Sequence, residues 1–343
     1  MTITQTPATS ASPSSAPAPA SASAPASGSL GLRPVHWHRP LLALAVAMVA
    51  LAAFSAIAMF VDPREVTGVN VWAKPFKFAV STAIYSVTLA WLIGQLVRLR
   101  RIAAIGGTIA AIGLTIELVI ITGFAAAADT SHFNVTTPLH TAAWAAMAFS
   151  IVVVWVVTLV VAFALFRNRL GDRARTLAIR SGALLAVLGM ALAFLMTGPQ
   201  GDQISNYQGI VGAHTVGVAD GGPGLPLLGW STVAGDLRIP HFVGMHGLQA
   251  LPLFAIVLEL LARRVPLLAD GVLRFRLVAI AAASYLAVVG LTLWQALSGQ
   301  SIAQPGGPVL IAAVVVAVGA LAAGVVAVGS AVRRSAAREV TAP

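Results

Sequence analysis

Eight stretches of the sequence carry almost no charge and are separated by loops, several of them rich in arginine. Each is long enough to cross a bilayer core, which takes roughly 20 apolar residues in helix. They run Pro40–Val61, Lys74–Val97, Ile102–Ala127, Leu139–Phe166, Ile179–Gly198, His241–Ala262, Phe275–Leu297 and Pro308–Val332. Unpaired backbone amides are not tolerated in lipid, so helix is the conformation such runs must take. The expected fold is an all-α membrane protein with eight transmembrane helices.

Composition closes off the alternatives. Only 9% of the residues are charged and 58% are apolar, whereas a soluble domain is about a quarter charged. The net charge of +10 does not indicate a nucleic-acid partner. That reading needs a basic face on a soluble module, and these arginines sit in short clusters between apolar runs. With no cysteine, disulfides, thiolate metal sites and cysteine nucleophiles are excluded. Walker, GxSxG and HExxH sequences are also missing, which argues against ATP-driven transport and zinc proteolysis within this chain.

The loops set an orientation. With the N-terminus cytoplasmic, seventeen of the twenty-one basic residues fall inside, and only Arg64, Lys74, Lys77 and Arg238 fall outside. The positive-inside rule reads that bias as topology. A multi-pass protein of the plasma membrane with both termini cytoplasmic is expected. Ala56-Ile57-Ala58 resembles a signal-peptidase site, but the apolar run before it exceeds a usual signal core.

Three regions follow. Residues 1–39 form an Ala/Ser/Pro-rich cytoplasmic tail with nothing to bury over its first thirty positions, expected to be disordered. Residues 40–332 form the transmembrane domain, and 333–343 a basic cytoplasmic tail. Within the domain, 199–240 is a long, glycine-rich outer loop. A connection of that length is a lid, a binding loop or a mobile segment. Apolar pieces such as Leu225–Trp230 suggest that it folds back on the bundle.

Polar side chains inside a membrane are costly and carry most of the functional information. On the second span, Lys74, Lys77, Ser81, Tyr85, Thr88 and Gln95 fall within about 60° of one direction. Such a stripe either contacts a solute or proton, or only hydrogen-bonds neighbouring helices. Glu117 on the third span is the one acid deep in the bilayer, roughly 15 Å from the outer end. Gly106, Ala110 and Gly113 share its face and permit close helix approach, so this carboxyl should point into the bundle.

The sixth span opens with His241 and continues through His246, Gln249 and Pro252. Five residues apart, the two histidines are about 140° apart around the helix and should not share one ion. His246 and Gln249 share a face, and Pro252 is expected to open space beside Gln249. Five of seven histidines and six of eleven acids fall on the outer side. An outward-open polar site lined by Lys77, Ser81, Tyr85, Glu117, His246 and Gln249 is the expectation, with Trp294 and Gln295 joining from the seventh span. Glu259 and Arg263 are read as an i,i+4 pair.

Lys74-Pro75-Phe76-Lys77-Phe78, Ser131-His132-Phe133-Asn134, and His241–Pro252 following Gly235-Asp236-Leu237-Arg238 together resemble a group of bacterial polytopic membrane proteins with no assigned activity. The resemblance covers the membrane part and implies no mechanism. Haem A synthases also have eight helices, but they place histidines on four alternate spans. The second and eighth spans here have none.

Three functions remain open. One is a small-solute or proton-linked carrier or binding protein with Glu117 as gate. Another is a membrane oxidoreductase in which His246, with His140 or His241, holds haem or a metal. The third is a sensing, scaffolding or assembly factor. Membrane lipid is the expected partner throughout, with a small-molecule ligand in the first case.

Overall fold

A computed structural model describes residues 36–340. Most of the tail read at 1–39, and residues 341–343, lie outside the described residues. The helices are α1 (Arg39–Val61), α2 (Ala73–Gln95), α3 (Arg100–Ala126), α4 (Pro138–Phe166), α5 (Arg173–Leu192), α6 (Gly201–Ser205), α7 (Arg238–Leu261), α8 (Gly271–Leu297) and α9 (Gly307–Val340). All except the five-residue α6 are long and apolar enough to cross a membrane, giving eight such helices among the described residues.

Local chemistry sets several boundaries. Pro138 sits in the first turn of α4, where its missing N–H costs nothing. Thr137 caps that helix by accepting from the His140 amide. Asp172 and Asp270 cap α5 and α8 in the same way, through the amides of Arg175 and Val272. The helix α9 continues to Val340, through most of the segment read as a basic tail.

Antiparallel neighbours pack in sequence order: α1 on α2, α3 on α4, α7 on α8 and α8 on α9, with α4 joining α5. The closest pair is α5 and α7. A methyl group on Gly244 would stand 2.5 Å from the Gly189 Cα, and one on Gly182 would stand 2.6 Å from the Gly247 carbonyl oxygen. Backbone therefore meets backbone, the approach that small residues permit in membrane helices. The helix α7 runs unbroken through Pro252, and the proline Cδ lies 3.3 Å from where a Gly182 methyl would be, so α5 packs against the proline ring.

Large apolar side chains face outward along the helices, for example Phe60 (91% exposed) and Leu321 (71%). Water would not tolerate so extensive an apolar surface, and lipid would.

At the end of the bundle opposite the long loop, three ion pairs staple the second half together: Arg175–Glu259 (α5–α7), Arg274–Asp172 and Arg334–Asp270 (α8–α9). Glu259 thus reaches across to α5 rather than pairing with Arg263 on its own helix. The i,i+4 reading fails because α5 lies close enough to offer a planar guanidinium in a partly buried setting, where a two-toothed bond is stronger.

The segment between α5 and α7 is folded. Its backbone pairs with the α3–α4 connection: Val135 N donates to Gly209 O (2.8 Å) and Val211 N to Phe133 O (2.8 Å). Strands β1 (Thr215–Val216) and β2 (Gly235–Asp236) pair antiparallel. Gly235 packs flat against α8, where a side chain would collide with the Ala296 carbonyl. This segment covers the helix ends that carry the candidate residues.

Candidate functional site at the long-loop end

The centre of the site is His132, on the connection between α3 and α4. Lys74 Nζ donates to its Nδ1 at 3.1 Å, with Ser131 Oγ also 3.1 Å from that nitrogen. An ammonium can only donate, so Nδ1 supplies the lone pair and a neutral ring carries its proton on Nε2. Nε2 faces Glu117 Oε1 at 3.9 Å. Glu117 is 5% exposed, and its second oxygen is buried with no hydrogen-bond partner. Phe78, Phe133 and Trp144 surround the ring, at centroid distances of 5.7, 6.1 and 5.5 Å. Burial holds the His132 imidazole well below its ordinary pKa, and the nearby charges of Lys74 and His214 add to that effect.

Phe133 links this centre to a second one in the long loop, with its ring 4.8 Å from that of His214. His214 Nδ1 donates to Asp220 Oδ2 at 2.5 Å, and the amides of His214 and Thr215 donate to the same carboxylate. Burial resists ionisation of Asp220, but these bonds outweigh it and hold the carboxyl well below the usual range. Burial lowers His214 as well, against the opposing pull of Asp220.

A third such pair stands beside α4. His140 Nε2 donates to Asp129 Oδ2 at 2.8 Å while Nδ1 lies 2.6 Å from Thr137 Oγ1. Three histidine–carboxylate pairs therefore gather at one end of the bundle: His132–Glu117, His214–Asp220 and His140–Asp129.

The cations nearby are tied to the loop. Lys77 Nζ donates to Leu228 O (2.8 Å), and Arg238 donates to Gly229 O (2.5 Å) while gripping the buried Asp236. Two neighbouring carbonyls at the tip of one loop hairpin are thus held by residues at the starts of α2 and α7.

The residues expected to share one site are distributed differently. Glu117 is grouped with Lys74 and His132, and Lys77 with the loop. Tyr85 bonds Thr158 of α4 (2.8 Å), Thr88 turns back to its own helix, and Ser81 makes no side-chain hydrogen bond among the described residues. His246 Nδ1 pairs with Gln249 Oε1 at 3.3 Å on its own helix. Gln295 is buried against Ser301, and Trp294 is 45% exposed. Among the described residues no hydrogen bond or ion pair joins Glu117 to Lys77, Ser81, Tyr85, His246 or Gln249.

The histidines considered as ligands differ in their freedom. His140 is engaged at both ring nitrogens. His241 donates Nδ1–H to Gly189 O (2.7 Å), and His246 donates to Gln249. Both orientations leave an Nε2 lone pair, as metal-bound histidines require. No group of three or more His, Asp or Glu side chains among the described residues is arranged to hold a metal ion.

Sequence reasoning missed His132 and His214 as site residues. His132 lies in Ser131-His132-Phe133-Asn134, one of the segments behind the family resemblance, and that was the available signal. The chain matches none of the family models, curated proteins or solved structures with which it was compared.

Proposed function

We propose that this chain is a multi-pass protein of the bacterial plasma membrane, with both termini cytoplasmic and the long-loop end outward. At that end it acts as a proton-linked binding protein or carrier for a small solute. The observation that supports this is Glu117, a carboxyl buried on a membrane-length helix with one oxygen unpartnered and the other facing the Nε2 of His132. A buried acid with an incomplete hydrogen-bond set is costly, and an acid kept inside a membrane despite that cost marks a working site. His132 is the relay to it: the Nε2 proton passes to the Glu117 carboxylate as Lys74 gives a proton to Nδ1, so the imidazole stays neutral while the ammonium and the carboxylate are both discharged. The folded loop above screens the pair from bulk water.

Protein reconstituted into vesicles loaded with a pH-sensitive dye tests this reading. An imposed pH gradient should drive proton entry above the level of empty vesicles, and Glu117→Gln should return it to that level. Proton entry unchanged in Glu117→Gln, or absent from the unaltered protein, would overturn the proposal.

A cofactor role rests on the free Nε2 lone pairs of His241 and His246. A Soret band or stoichiometric metal in purified protein, lost in His246→Ala, would replace the carrier reading. A colourless, metal-free preparation would remove the cofactor role.

A further inference from the structure

The opposite end of the bundle carries a separate feature. The α2–α3 turn and the α4–α5 turn are clasped by Asn168, which is 5% exposed. Its Oδ1 accepts from the amides of Val97 and Arg98, both at 2.9 Å, and its Nδ2 donates to Arg98 O (3.0 Å) and Ala164 O (2.7 Å). Leu99 completes the tight α2–α3 turn with a left-handed backbone (φ 62°), a conformation that costs a branched side chain energy.

The clasp gathers cations that no carboxylate among the described residues neutralises. Arg98, Arg167 and Arg169 lie on the two turns, Arg100 and Arg101 open α3, and Arg180 stands two turns into α5 and reaches back to the α4–α5 turn. None has a carboxylate partner among the described residues. Arg180 donates to Phe166 O (3.1 Å) and Asn168 O (3.2 Å), and its Nε is buried and unpartnered. The contrast with the neighbouring Arg175, Arg274 and Arg334, each paired with an acid, is direct. Like charges held together by a rigid clasp need an anion from outside.

The surroundings say which anion. Arg167 lies 5.0 Å over the Phe163 ring and Arg180 5.1 Å over the Phe166 ring. Both rings are exposed, as is Ile102 at the start of α3. Guanidinium groups thus stand directly above exposed apolar surface at the end of membrane-length helices. A phosphate with attached acyl chains meets both demands at once, whereas free phosphate would leave the apolar surface bare.

We propose that the two turns joined by Asn168 form a binding site for an anionic phospholipid. The arginines hold the headgroup phosphate, and the acyl chains run along Phe163, Phe166 and Ile102.

Native mass spectrometry of the full chain in detergent tests the site, with phosphatidylglycerol, phosphatidylcholine and inorganic phosphate as separate probes. Phosphatidylglycerol should be retained about tenfold or more tightly than phosphatidylcholine, since each basic residue near an anionic headgroup contributes a several-fold gain. Replacing Arg98, Arg167 and Arg169 together by Gln should remove that preference, and Arg167→Gln alone should weaken it. Arg263→Gln with Arg264→Gln, which removes two arginines just past the end of α7 that have no carboxylate partner among the described residues, should leave it intact. Equal retention of the two lipids, or equal loss in both sets of variants, would overturn the proposal. Displacement of the lipid by millimolar phosphate would instead assign the arginines to a free anion.

Discussion

The Nδ1 of His214 lies 2.5 Å from a carboxylate oxygen of Asp220, six residues further along the long loop. The pair is stable only in one range of pH. Burial lowers the His214 pKa in the fold, helped by the charges of Arg238 and Lys74, so the unfolded loop binds more protons as pH falls through the ordinary histidine value of 6.5. His132 contributes in the same sense. Asp220 is held well below its ordinary value, and its contribution is lost only below about pH 4, when the carboxylate is protonated. The protection factors of amides in residues 210–220, with the intrinsic pH dependence of exchange divided out, should therefore fall between pH 7 and pH 5. His214→Gln should flatten that dependence.

At Gly189 and Gly244 the seam between α5 and α7 is backbone against backbone. Adding a methyl group at Gly189 or Gly244 forces the two backbones apart. Overpacking typically costs about 1–3 kcal/mol, and the upper part of that range is expected here because backbone cannot rotate aside. Gly189→Ala should lower the unfolding temperature in detergent and displace His241 from its acceptor. Gly319→Ala on α9 meets nothing within 4 Å and should leave it unchanged.

Glu259 and Arg175 are both largely buried, with side-chain exposures of 10% and 17%. Removing one partner strands the other, at a cost of about 3–5 kcal/mol for a buried pair. Glu259→Ala should be strongly destabilising. Replacing both residues by Met should recover much of the loss, a result that a double-mutant cycle reads directly.

The cysteine-free sequence permits a clean test of sidedness. Val218 in the long loop is exposed, and so is Ser335 near the end of α9. A single cysteine at 218 should react with an impermeant maleimide in intact cells, and one at 335 only after the membrane is opened. The reverse pattern would invert the topology.

The helices were legible because an uninterrupted apolar run has a single solution in lipid. The inward direction of Glu117 was legible too, since Gly106, Ala110 and Gly113 mark its face. The partners of the polar groups were not. Glu117 and His132 are separated by a helix end and a turn, and no periodicity connects them. Arg175 finds Glu259 through a glycine seam whose closeness depends on four glycines on two helices distant in sequence. His246 was expected to line one polar site together with Glu117, but the angle around a single helix fixes a direction and not a neighbour. Nor could the sequence show that the Pro252 ring packs against α5, since that depends on the position of Gly182 on another helix.

The α5–α7 seam joins two distant chemistries. Near one end the Gly189 carbonyl receives His241, and towards the other Arg175 grips Glu259. Backbone-to-backbone contacts along the seam couple the two helices closely, so a rotation imposed where the loop is seated has a stiff mechanical route to the arginine staples at the far end.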